Sequence, residues 1–438
     1  MSIEIANRAK EAFYILSSTT TEYRNDLIRS VMKALDHDKP HILSANQTDI
    51  ETCRPLVESG ELSNSLFARL DLSGGKLDTL LSGLEALSKL PDPIGQVTYS
   101  QQMTEGLALY RLTCSIGVVA VIFESRPEAA VQIASLCLKS GNAVILKGGR
   151  EASNSNRALV DAMRSALPEE VRDAVQLVES REAVADLLKF EKLIDLIIPR
   201  GSAELVRHIK SSTTIPVLGH ADGICTTYVQ KSADFDKALG ILIDGKTQYP
   251  AVCNATEVLL VDSEIAESFL ALAIPALLEK KVSIRADSRA FESIRSTMDH
   301  PSISLATRQD FDTEWCDLTL TIGVVDGLEQ AIAHINKHGS HHTDSIATED
   351  KSAAVEFMRK VDSAGVYWNA STRFADGFRY GFGAEVGVST GKIHARGPMG
   401  LEGLTSCKYR LYGDGHTVGQ HGKSLAREHV GVLRDLEF

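Results

Sequence analysis

Residues 117–123 read Gly-Val-Val-Ala-Val-Ile-Phe, without one polar side chain. A strand with one wet face alternates apolar and polar residues. A uniformly apolar run belongs to a strand buried on both faces, inside a sheet covered on both sides. The run falls far short of the roughly 20 apolar residues of a membrane helix. Ala143–Leu146 repeats the pattern, and Val175–Val178 and Leu193–Ile197 are further strands, each with one polar residue, Gln176 and Asp195. Helical stripes separate these runs. Ala130, Ile133, Ala134 and Cys137 follow Pro127, whose fixed φ suits a first helical turn, and Ser153–Ala166 is closed by Pro168. Strands alternating with helices imply parallel strands in a doubly wound α/β sheet. Such sheets bind nucleotides at the carboxyl ends of their strands.

The flanking regions are organised around this unit. Ile3, Ala6, Ala9, Phe13 and Leu16, then Leu27, Val31, Ala34 and Leu35, predict helices that end at Pro91-Asp92-Pro93-Ile94-Gly95. Leu107–Leu112 alternates loosely, as an exposed strand does. A second α/β block begins near Cys225. It has strands over Thr256–Val261 and Leu318–Val325, and helices over Ile265–Leu278, Asp326–His338 and Glu349–Val361. The glycine-rich tail Phe374–Gly400 is expected to wrap the site. A chain of 438 residues has room for two or three domains.

Charge and cysteine usage narrow the function. Lys and Arg number 46 against 58 Asp and Glu, for a net charge of −12, and there is no long basic run. That argues against nucleic acid or an anionic membrane as partner. The start, Met1-Ser2-Ile3-Glu4-Ile5, shows no basic stretch before an apolar block, so no secretory signal is expected. Seven scattered cysteines without a C-x-x-C pair fit free thiols in a reducing, cytoplasmic setting.

Several motifs fail on context. Gly381–Gly387 and Gly413–Gly419 approach a dinucleotide fingerprint but carry one residue too many before the last glycine, so both are expected to be loops. Thr390-Gly391-Lys392 lacks phosphate-loop spacing. Gly387-Val388-Ser389-Thr390-Gly391 matches a hydrolase elbow without the required strand and helix. His334, His338, His341 and His342 cluster without metal-site spacing and are expected to mark a solvated helix end, so no metal site is expected. Cys53, Cys114, Cys137 and Cys225 sit in regular patterns and are expected in the core. Cys253 differs. It lies on a loop between a helix ending near Lys246 and the strand from Glu257, where a thiol can face a cleft.

Longer stretches carry a resemblance. They are Gly117–Pro127 with its Glu-Ser-Arg-Pro ending, Lys139–Gly149, Ile198-Pro199-Arg200-Gly201-Ser202, Val252-Cys253-Asn254-Ala255-Thr256-Glu257, and His394-Ala395-Arg396-Gly397-Pro398-Met399-Gly400-Leu401-Glu402. In this order, over nearly the whole chain, they resemble the gamma-glutamyl phosphate reductases, a branch of the aldehyde dehydrogenase superfamily. The resemblance implies an aldehyde-dehydrogenase-like α/β fold. Its implied parts are an NADP-binding domain over residues 1–99 and 118–224, a catalytic domain over 225–400, and an oligomerisation element from 100–117 and 401–438. The implied activity is NADPH-dependent reduction of L-glutamate 5-phosphate to the 5-semialdehyde and phosphate, the second step of proline synthesis. A homo-oligomer is implied, with the glutamate 5-kinase as a separate protein.

By the same resemblance Cys253 is the nucleophile, and the Ser125 region helps to hold the oxyanion. Arg126 holds phosphate. Asn254, Asn369, Ser371, Thr372 and Arg373 are expected near the substrate, and Lys147, Arg200, Gly201, Ser202 and Glu314 near the cofactor. Hydrolytic aldehyde dehydrogenases carry a glutamate base in a Leu-Gly-Gly segment, but Val217-Leu218-Gly219-His220-Ala221-Asp222-Gly223 has none there. That speaks for this branch over a hydrolytic aldehyde dehydrogenase, while Cys253, Lys147 and Arg126 together speak against the other rival, a catalytically silent scaffold.

Overall fold

The structure, a computed structural model, describes residues 2–220, 222–296 and 298–421. Five helices open the chain: Ser2–Leu16, Thr21–His37, Lys39–Glu58, Asn64–Leu70 and Lys76–Lys89. An antiparallel pair follows, β1 (Val97–Thr104) and β2 (Leu107–Ser115).

The apolar runs then form a four-stranded parallel sheet. Its strands are β3 (Val118–Phe123), β4 (Ala143–Lys147), β5 (Val175–Leu177) and β6 (Leu196–Arg200), in the order β5-β4-β3-β6. All six residues of β3 are buried, as a strand covered on both faces requires. The helix Pro127–Lys139 crosses from β3 to β4 and is almost wholly buried. The last strand starts later than its sequence pattern predicts. Leu193 and Ile194 both donate backbone hydrogen bonds to Phe190 in a tight turn, so pairing begins only at Leu196. Val217 adds a single parallel bridge to Ile197 on the outer side of β6.

A seven-stranded parallel sheet forms the second block. It contains β7 (Cys225–Val229), β8 (Thr256–Asp262), β9 (Ser283–Ala286), β10 (Ile303–Leu305), β11 (Thr319–Val325), β12 (Thr343–Ala347) and β13 (Gly365–Trp368). Its order, β10-β9-β11-β8-β7-β12-β13, places β8 near the centre, and every residue of β8 is buried. The tail carries a two-residue pair, β14 (Val388–Ser389) and β15 (Gly397–Pro398). No helix follows β14, so the Gly387–Gly391 stretch is no nucleophile elbow. Finally β16 (Thr405–Tyr412) returns to pair antiparallel with β2 from Thr405↔Ser115 to Tyr412↔Ala108. Of the segment 401–438 expected in an oligomerisation element, residues 422–438 lie outside the described residues. No helix among the described residues is long and apolar enough to cross a membrane.

Two smaller expectations are corrected. Cys114 is only half-buried, because β2 belongs to a thin three-stranded sheet with one open face. The histidine cluster is not one helix end. The helix Gly327–His338 stops short of His341, which adopts φ 60°, and His342 is fully buried before β12.

Candidate active site

Cys253 lies on the loop between the helix Phe235–Thr247 and β8. Both ends of that loop are tied together. Lys246 Nζ meets Glu257 Oε2 at 2.6 Å, with both side chains fully buried. Burial pushes the Glu257 carboxyl up to about 7, against the pull of Lys246. Removing one partner of such a pair leaves an uncompensated buried charge, at a cost of roughly 3–5 kcal/mol.

The backbone behind the thiol is held from two more directions. Cys225 Sγ donates to the Cys253 carbonyl at 3.2 Å. Gly223 packs so closely that a Cβ there would come within 2.3 Å of Cys253 O and 2.6 Å of Cys253 Cβ. Real Cβ atoms do not approach so near, so only glycine fits.

The thiol opens on a cleft of about 1110 Å³. This is at the upper end of the range of about 300–1000 Å³ usual for ligand pockets. The walls come from the end of β6, from loops of the second block, from the N-terminal helices and from the tail. They include Arg69, Glu124, Arg126, His220, Tyr249, Glu314, Arg373 and Glu385. Three guanidinium groups converge here. Burial, together with Arg200 and Arg69, pushes Arg126 down to about 10. Among the described residues none of the three forms an ion pair with a carboxylate: Arg69 donates to the Ala251 carbonyl at 2.8 Å, and Arg200 to that of Glu385 at 3.5 Å. Glu128 and Glu385 act on Arg126 and Arg200 from a distance, but three guanidinium groups gathered without a direct carboxylate contact favour an anion.

Comparison with known proteins decides the family. Residues 3–291 match the model of the aldehyde dehydrogenase family. The chain is 48% identical over 426 residues to a probable gamma-glutamyl phosphate reductase of Schizosaccharomyces pombe, covering 96% of this chain and 94% of the relative. It is 50% identical to gamma-glutamyl phosphate reductase 1 of Synechocystis, covering 95% and 94%. A crystal structure of the gamma-glutamyl phosphate reductase of Thermotoga maritima superposes with a TM-score of 0.90 at 38% identity, covering 95% of this chain and 99% of that one.

The chain belongs to the gamma-glutamyl phosphate reductase family.

An acetylating aldehyde dehydrogenase of Geobacillus thermoglucosidasius, at 19% identity and a TM-score of 0.66, shares the fold. Of the residues singled out by the gamma-glutamyl phosphate reductase motifs, Cys253, Asn254, Arg126, Arg200, Gly201, Ser202, Glu314 and Arg373 all line the cleft. Arg373 is held by a 3.0 Å bond from its Nε to Gln248 Oε1.

Others do not reach it. Ser125 is buried in a left-handed conformation, φ 43°, and both its N–H and its hydroxyl donate to Glu151 Oε1, at 2.7 and 2.8 Å. Its hydroxyl proton is therefore engaged away from Cys253. The Asn369 amide exchanges two 2.9 Å bonds with the Thr348 backbone. Thr372 Oγ1 donates to the Asn254 carbonyl at 2.7 Å, and Ser371 Oγ accepts from the Arg373 N–H at 3.3 Å. These three side chains shape the loop that backs the cleft. The Ser202 N–H, at the start of the helix Ala203–Ser212, already meets Glu124 Oε2 at 2.8 Å.

Lys147 ends β4 outside the cleft wall, half-buried. Burial lowers its pKa, while Glu151 works in the other direction. Next to it Gly148, Gly149, Asn156, Leu177 and Glu179 line a small hollow at the carboxyl edge of the sheet. Sequence reasoning missed Arg69, Tyr249, Glu124, Glu151 and His342. Arg69, Tyr249 and Glu151 sit in no motif singled out above, while Glu124 opens the Glu-Ser-Arg-Pro stretch and His342 belongs to the histidine cluster without either spacing giving it a role.

Proposed function

We propose that this cleft reduces L-glutamate 5-phosphate to L-glutamate 5-semialdehyde and phosphate with NADPH, the second step of proline synthesis from glutamate. One observation carries the reading. The Cys253 thiol and three arginines that make no direct carboxylate contact line one cleft, which suits a substrate that is both an acyl electrophile and a phosphate anion.

The sheet edge fits a dinucleotide. A Cβ on Gly148 would lie 2.0 Å from Asn156 Nδ2, so glycine lets Asn156 pack against the end of the strand, and the buried Asn156 Oδ1 has no partner, as an acceptor for a ribose hydroxyl would have none before the ribose arrives. Lys147, Arg200, Gly201, Ser202 and Glu314 would hold the cofactor, which supplies the hydride when bound.

The remaining chemistry falls to the chain. Cys253 Sγ attacks the acyl carbon, the C–O bond to phosphate breaks, and a thioester forms. Arg126, with Arg69, holds the departing anion. The Cys253 N–H is the best-placed donor for the passing oxyanion, since the Ser125 hydroxyl is engaged by Glu151. Arg373 and Asn254 stand where the amino-acid end of the substrate would lie. Sγ is released again as the aldehyde leaves. His220 occupies the segment where hydrolytic relatives place a glutamate base. Without that carboxylate the thioester lacks the 10²–10⁴-fold help that general-base activation of water typically gives.

The test runs the reaction backwards. NADP reduction with glutamate semialdehyde is expected to depend on added phosphate, with arsenate as substitute. Arg126→Ala and Arg69→Ala should raise the half-saturating phosphate concentration, each by roughly tenfold or more, with less effect on the semialdehyde. Equal steady-state rates with and without phosphate would make water the acceptor and move the chain to the hydrolytic enzymes.

A second expectation concerns Lys147. Lys147→Ala should raise the KM for NADPH by roughly tenfold or more, the worth of one charge-assisted contact, and leave the KM for the acyl phosphate nearly unchanged. A dinucleotide titration identical to wild type would remove Lys147 from the site.

A further inference from the structure

His220, Cys253 and His342 come from three separate segments, yet one ring nitrogen of each histidine and the cysteine Sγ all lie within 4.8 Å of one another. The two imidazoles meet edge to face, with centroids 5.0 Å apart. The reduction needs at most one base near the thiol, so the second ring is left without a task in it.

The outer hydrogen bonds prepare both rings as ligands. His220 Nδ1 lies 2.8 Å from the Val388 carbonyl. A carbonyl only accepts, so Nδ1 carries the proton and Nε2 keeps its lone pair. His342 Nδ1 lies 3.0 Å from Thr343 Oγ1 and 3.7 Å from Cys225 Sγ, whose own S–H goes to the Cys253 carbonyl and leaves the sulfur to accept, while His342 Nε2 has no hydrogen-bond partner although the residue is 0% exposed. An unpartnered nitrogen at that depth is costly unless something occupies it. Metal-bound histidines characteristically pass their other N–H to a carbonyl or similar acceptor.

We propose that Cys253, His220 and His342 form an inhibitory site for a zinc-class ion. Thiolate and neutral imidazole are both zinc ligands, and three protein ligands leave a fourth tetrahedral position open to water or an anion. Tetrahedral zinc places such donor atoms about 3.5 Å apart, so the present spacing closes by small side-chain rotations. Binding forms one Zn–S and two Zn–N bonds and releases the thiol proton to solvent. With its sulfur lone pairs engaged, Cys253 cannot attack an acyl carbon. The ion thus holds the enzyme in a reversible off state.

The experiment titrates the full-length, chelator-stripped protein with Zn²⁺ against a chromophoric competitor, and with Co²⁺ as a spectroscopic probe. One equivalent should bind, with proton release and a thiolate-to-cobalt charge-transfer band. Cys253→Ser should abolish that band. His342→Ala and His220→Ala should each weaken binding at least tenfold. His220 lines the cleft, so its variant keeps the test decisive if the buried His342 variant does not fold. In wild type, Zn²⁺ should stop turnover and a chelator should restore it. Absence of the charge-transfer band, or stoichiometric binding undiminished in both Cys253→Ser and His220→Ala, would overturn the proposal. The titration reads the ion rather than turnover, so it stands or falls independently of the phosphate-dependence assay.

Discussion

Cys253→Ala is expected to lower turnover by at least about a thousandfold, or some 4 kcal/mol of barrier, while dinucleotide binding stays within about twofold of wild type on the same scale. The loop explains the separation. Cys253 lies between an anchored helix end and the start of β8, and the thiol is a small side chain at the cleft wall. Its loss leaves Lys147, Asn156 and the glycine-lined edge of the other sheet untouched. Rapid-mixing turnover and fluorescence titration of the reduced dinucleotide measure the two quantities separately. Residual activity within tenfold of wild type amounts to only about 1.4 kcal/mol and would show that no covalent step passes through this sulfur.

Gly223→Ala is the second large effect. The added methyl has nowhere to go, since Cys253 backbone atoms would lie within 2.6 Å of it. The loop must move, and a displacement of about 1 Å near a reacting atom costs on the order of a hundredfold in rate. The loss should fall on kcat, because the arginines and the cofactor edge lie on other segments. Gly240→Ala is the matched control. Gly240 is helical with nothing within 4 Å of its Cβ position, so alanine there should leave kcat unchanged and raise stability by up to about 1 kcal/mol. Thermal melts and steady-state kinetics on the pair separate a local displacement from a general loss of fold. Equal kcat values in the two variants would mean that the loop tolerates the intrusion.

The parallel sheets were legible because strands buried on both faces are apolar along most of their length, as β3 is throughout and β8 is over Val258–Val261. The start of β6 was less so, since Leu193 and Ile194 are as apolar as the strand they precede and only the turn at Phe190 separates them. Cys253 stood out by its loop context and by the motif around it. Arg69 did not. It reaches Arg126 from a short N-terminal helix that carries no pattern for an anion site. Ser125 shows the reverse case. Its motif was visible, but its hydroxyl is turned by Glu151, a contact that local spacing does not encode. His342 was masked by neighbours that resemble a helix end, and burial alone distinguishes it.

The pairing of β2 with β16 bears on how the chain is made. Ser115 and Thr405 are partners, yet most of the polypeptide lies between them. At roughly 5–20 residues per second a ribosome takes tens of seconds to cover that distance. Through that interval β2 waits with one edge unpaired, exposed to other nascent chains. The tail that walls the cleft at Glu385 and Met399 emerges just before β16, so the N-terminal sheet can fold while the cleft is still incomplete. A ribosome stalled before Thr405 should therefore hold a protease-resistant but inactive intermediate, whose edge closes only when the last strand is delivered.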